Sequence, residues 1–107
     1  MTNNVQLSNI KHMGFSIRFS EEKNQLLKAT RNISFEEILD AIENDLLADL
    51  AHPGLKRAQQ RIFVVRVKEY AYAVPYIINV ELDEIFLKTI YPSRALTKLY
   101  IKERGTK

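Results

Sequence analysis

Lys88, Tyr91, Arg94 and Lys98 crowd the stretch "EIFLKTIYPSRALTKLYIKE", where a run of strand-forming residues meets Pro92 and a basic helix. These residue types suit a phosphodiester. A guanidinium contacts phosphate oxygens in pairs, a lysine adds a point charge, and a tyrosine can carry a proton or stack on a base. A helix starting at Pro92 adds free backbone N–H groups and partial positive charge, which favour an anion. In RNA cleavage without a metal the ribose 2′-hydroxyl attacks the adjacent phosphate. The protein then aligns it, stabilises the charged transition state and assists proton transfer. Arg94 and Lys98, four residues apart, share one helix face. On a regular strand Lys88 and Tyr91 fall on opposite faces, so parity admits one of them, and Tyr91 is nearer the junction. The same spacing also fits a solvated helix surface with Tyr91 packed inside.

Other chemistries find less support. The only glycines are Gly14, Gly54 and Gly105, so there is no glycine-rich phosphate loop. His12 and His52 are isolated, without HxxxH or HxxE spacing, and His52 before Pro53 reads as a turn residue. Cysteine is absent, which rules out disulfides and thiolate metal sites. No cofactor is expected. No apolar run approaches the roughly 18 residues of a membrane span, and the start lacks a signal-peptide core, so a cytoplasmic protein with no membrane partner is expected.

The 107 residues suit one domain: an arm over residues 1–14, then an α+β unit over 15–107. Net charge is only +3, but it is segregated. Glu36, Glu37, Asp40, Glu43, Asp45 and Asp49 fall in 34–50 with no base among them; Lys56, Arg57, Arg61, Arg66 and Lys68 fall in 52–68 with no acid. Such blocks suit a basic surface for a polyanion, with Lys56, Arg57, Arg61 and Arg66 as its RNA-binding candidates, beside an acidic surface for a basic partner.

The elements follow from periodicity and caps. "GFSIRF" alternates like a short strand. Ser20 reads as the N-cap of a helix to about Ala29, and Ser34 with Glu37 as a capping box, preceded by a left-handed Asn32 that lets the two helices form a hairpin. Phe35, Ile38, Leu39 and Ile42 form the buried stripe. "LLADLA" is ambiguous between helix tail and strand. "RIFVVRVK" and "YAYAVPYII" read as paired strands with Lys68-Glu69 at the tip; Pro75 marks an edge, a bulge or a strand end. "IFLKTIY" reads as the last strand. Ala95, Leu96, Leu99 and Tyr100 can then face the sheet from a helix over about Ser93 to Lys102. The expected fold is therefore α+β: an N-terminal helical hairpin, an antiparallel sheet of three or four strands, and a C-terminal helix packed on the sheet.

"IRFSEEKNQLLKATRNISFEEILDAIEND", "RIFVV" and "IFLKTIYPSRALTKLY" together resemble BrnT-type toxins of bacterial toxin–antitoxin modules, within or near the RelE/ParE-like ribonuclease group. Phe19 and Lys23 match that family's opening block. Arg31 to Glu37 follow its second block with Asn32 in place of a glycine, and Tyr91 to Ala95 with Lys98 follow its third, with Tyr91-Pro92 in place of its usual residues. The likeness runs over residues 15 to 101. It implies metal-independent RNA cleavage that blocks translation, with Arg94 first among the catalytic residues, Arg31 second, and Lys88, Tyr91 and Lys98 after them. It also implies a ribbon-helix-helix type antitoxin as partner, with dimerisation possible within the complex. The alternative is a non-catalytic module that holds nucleic acid or protein on the same basic surface.

Overall fold

Two serines start the helices that cover the core. The computed structural model describes residues 5–12, 14–51 and 60–102. In α1 (Glu21–Arg31) the Ser20 hydroxyl accepts from the Lys23 N–H, with Glu21 and Glu22 in the positive first turn. Asn32 ends α1 at φ 55°, the left-handed cap expected of it. α2 (Phe35–Asn44) opens on the capping box. Glu37 N–H donates to Ser34 Oγ and Ser34 N–H donates to Glu37 Oε1, both at 3.1 Å. Its stripe of Phe35, Ile38, Leu39 and Ile42 is buried, together with Ile33 just before the cap.

The strands are β1 (Val5–His12), β2 (Phe15–Ser20), β3 (Leu46–Ala51), β4 (Gln60–Val67), β5 (Tyr70–Asn79), β6 (Glu84–Leu87) and β7 (Tyr91–Pro92). Six of them lie in the order β1-β2-β6-β5-β4-β3, and β7 adds to β5. The β2–β6 pair is parallel and the others are antiparallel.

This architecture overturns the expected one. The helical hairpin is not N-terminal, because β1 and β2 precede it; the sheet exceeds three or four strands; and strands dominate. Nor does a regular C-terminal helix cover the sheet. α3 (Arg94–Thr97) is one turn that runs into a π turn at Lys98–Lys102. β1 lies within the stretch read as an arm. Its register shifts between Leu7 and Lys11, so no single alternation runs through it to signal a strand. "LLADLA" resolves as β3. Pro92 belongs to β7, and Ser93 is the cap of α3. Ala95 and Leu99 are exposed, whereas Thr97 is buried. Thr97 Oγ1 accepts from Ala71 N–H at 2.8 Å and donates to Ser93 C=O at 2.7 Å, which seals α3 against β5.

The core lies on one face of the sheet, under the hairpin: Ile17 and Phe19 of β2, Phe63 and Val65 of β4, Val74 and Tyr76 of β5, Ile85 and Leu87 of β6, with Leu27 of α1 and the α2 stripe. Alternation sends Phe86, Ile77, Pro75, Ala73 and Val64 to the opposite face.

Candidate functional site

The strand-to-helix junction is shaped by one proline. Residues 71, 73, 75 and 77 of β5 turn their backbone groups toward β6 and β7, as the bond from Ser93 N–H to Ala71 C=O and that from Lys88 N–H to Pro75 C=O attest. Pro75 accepts at 2.8 Å but has no N–H to return. The ladder loosens there. Leu87 pairs with Tyr76 and Tyr91 with Ala73, so four steps on one strand oppose three on the other. The extra residue is a β-bulge, one of the three readings the proline allowed.

The bulge also removes the parity objection. Leu87 and Ile90 both sit in the hairpin-covered core, so Lys88, next to Leu87, and Tyr91, opposite Ala73, share the other face. Lys88 is exposed and Tyr91 is 39 % exposed, so Tyr91 is not a core residue.

Arg31 arrives from the end of α1. Its Nη1 donates to Ile90 C=O at 2.5 Å, which ties the hairpin to the residue before Tyr91. Arg94 and Lys98 are exposed on α3 and the start of the π turn. Lys88, Arg94 and Lys98 form no ion pair with any described residue. The backbone at the helix start is less open than a phosphate site requires. Ser93 N–H donates to Ala71 C=O, Leu96 N–H to Ser93 Oγ and Thr97 N–H to Ser93 C=O. With the Ser93, Leu96 and Thr97 N–H groups committed and only one α-helical turn, the side chains are the main source of positive charge at this junction.

Two ion pairs join the charge blocks seen in the sequence. Arg61 Nε meets Asp49 Oδ1 at 3.0 Å, and Arg66 Nη2 meets Asp45 Oδ1 at 3.3 Å. Arg61 Nη2 also donates to Asp49 C=O at 2.9 Å. Arg61 is thereby committed within the fold, and Arg66 is partnered though exposed. Lys56 and Arg57 lie outside the described residues, as does the His52-Pro53-Gly54 turn.

Asp49 also accepts from the Tyr76 hydroxyl at 2.7 Å, a contact that the sequence does not signal because it needs the registers of three strands. Phe63 stacks on Tyr76 with centroids 4.0 Å apart and receives the His12 ring edge-on at 5.0 Å. Tyr76 is 2 % exposed. Burial, and then the bond to Asp49, push its phenol well above the usual tyrosine value. The folded state thus keeps a proton that the unfolded chain releases above about pH 10. Stability from this source is complete below that pH and falls above it, by up to ~1.4 kcal/mol per pH unit. Tyr76→Phe is expected to flatten the alkaline decline of Tm relative to the parent chain. Superimposable declines would remove Tyr76 as the cause.

Among the described residues no helix is long and apolar enough to cross a membrane, and no three His, Asp or Glu residues are grouped to hold a metal ion. No family model, curated protein or solved structure matches the chain.

Proposed function

We propose that this chain is the toxin of a toxin–antitoxin module: a metal-independent endoribonuclease that blocks translation, restrained by a ribbon-helix-helix type antitoxin. The bulge at Pro75 carries this reading, because it sets Lys88 and Tyr91 on one sheet face, a few residues before the exposed Arg94 and Lys98, which pair with no described acid. The likeness of residues 15 to 101 to BrnT-type toxins supplies the reaction class. In this reading Arg94 neutralises charge that grows on the scissile phosphate, and Lys98 and Lys88 hold flanking phosphates. Tyr91 moves a proton or stacks on the base beside the cut. Arg31 fixes the loop at Ile90 that presents Tyr91.

The test is a cell-free translation reaction given the purified protein, followed by mapping of RNA ends. Arrested translation with new 5′ ends is the expected result. RNA retained by the protein, with no new ends and unhindered translation, would convert the assignment to a binding module on the same surface.

A further inference from the structure

Phe86, Lys88 and Tyr91 occupy three successive positions on the face of the sheet away from the helical hairpin, opposite Ile77, Pro75 and Ala73 of β5. Along the strand they alternate aromatic ring, cation, aromatic ring. Each step covers two ladder positions of β5, roughly 6.7 Å. The bulge creates this spacing: without its extra residue Tyr91 would turn into the core and Ile90 out of it. The neighbours of Lys88 and Tyr91 on β5 are low. Ala73 carries one methyl and Pro75 a compact ring, so the lysine and tyrosine stand above them. β2 is in register only as far as Leu87, through Phe19, so no described strand pairs with the chain beyond it on that side, where Arg31 meets Ile90 C=O. Phe86 is half-buried and Tyr91 exposed.

We propose that this ladder takes an unpaired RNA strand drawn out along β6 and β7, with the bases of alternate nucleotides stacked on Phe86 and Tyr91 and a phosphate of the backbone between them on Lys88. The inference rests on the RNA reading above and narrows it to single-stranded substrate. Phe86 and Tyr91 stand two such steps, roughly 13 Å, apart, so bases on them lie about four times as far apart as the ~3.4 Å rise of a duplex strand. A duplex also keeps its bases stacked on one another, whereas a single strand can splay them onto protein rings. A cation between two rings sits where the charged backbone between two stacked bases passes. It gives no comparable match to a protein segment, whose charges sit on side chains of variable reach.

The chain contains no tryptophan, so Phe86→Trp and Tyr91→Trp each install a single fluorescent reporter at one rung. Each folded variant is titrated with a single-stranded oligouridylate and with an RNA duplex of equal length, while oligonucleotide anisotropy reports binding independently. The expected result is quenching of both tryptophans by the single strand and of neither by the duplex. Lys88→Ala should also reduce the slope of log K against log salt by about 0.7 for the single strand. If the oligonucleotide binds while neither tryptophan responds, the ladder is wrong and the RNA-binding reading stands. Equal quenching by the duplex overturns the single-strand requirement. No anisotropy change with either nucleic acid overturns the ladder and the RNA reading together. Tyr91→Trp, at an exposed site, keeps the test open if the half-buried Phe86→Trp fails to fold.

Discussion

On the proposed ribonuclease reading, Arg94→Ala is expected to slow RNA scission by roughly 10²–10³-fold, the usual loss when one donor to a developing anion is removed. Stability should stay within about 0.5 kcal/mol, as for exposed residues without structural partners. The side chain is exposed and forms no ion pair with any described residue. Its position also opposes local helix electrostatics, because a cation in the first turn meets the positive end of the dipole. Removing it therefore costs the fold little. Arg94→Lys should fall between the two, since it keeps the charge and loses the paired N–H geometry. Cleavage rate and Tm measured on one preparation decide the matter. Wild-type cleavage by folded Arg94→Ala would take Arg94 out of the mechanism.

What the sequence made legible was local. Ser20, Ser34 with Glu37, and left-handed Asn32 each act within four residues, so their types and spacing were enough to place both helix starts and the reversal between them. The candidate site residues were named from composition, and their geometry was not legible. Pro75 announced an irregularity without saying which strand would absorb it, and the answer depended on which side of β5 its missing N–H faced. A parity argument on "IFLKTIY" alone therefore put Lys88 and Tyr91 on opposite faces. The same limit hid the partners of Arg61 and Arg66, which the sequence offered as RNA-binding candidates. Their partners Asp49 and Asp45 lie 12 and 21 residues away, and only the β3–β4 register brings each pair together. β1 was missed because its register shift breaks the alternation that would have marked it.

The largest loss of stability is expected from Asn24→Ala, at ~2–3 kcal/mol, or about 10 °C in Tm. Nothing in the pattern of α1 singles out this residue, yet it is 0 % exposed and holds the two helices together. Its Oδ1 accepts from Phe35 N–H at 2.7 Å, and its Nδ2 donates to Glu36 Oε1 at 2.9 Å. Phe35 N–H is one of the unsatisfied donors at the start of α2, and Ser34 Oγ is already committed to Glu37. Alanine would leave that donor buried without a partner, and the penalty for stranding it exceeds what the hydrogen bond itself contributed. Asn24→Leu separates this account from simple loss of volume: it fills the space and still strands the N–H, so it should be destabilised comparably. Recovery of parental Tm by leucine would assign the effect to packing. The Glu36 carboxyl gives a second readout. Burial raises its proton affinity, but the bond from Asn24 leads the effects that together hold it below the usual glutamate range. A lowered value stabilises the fold above the unfolded pKa and is lost on acidification, so the parent should lose more stability than Asn24→Ala as pH falls through about 4. Because α1 also carries Arg31 to Ile90, loosening the hairpin should release the loop before Tyr91. Asn24→Ala is therefore expected to slow RNA scission even at temperatures where it remains folded.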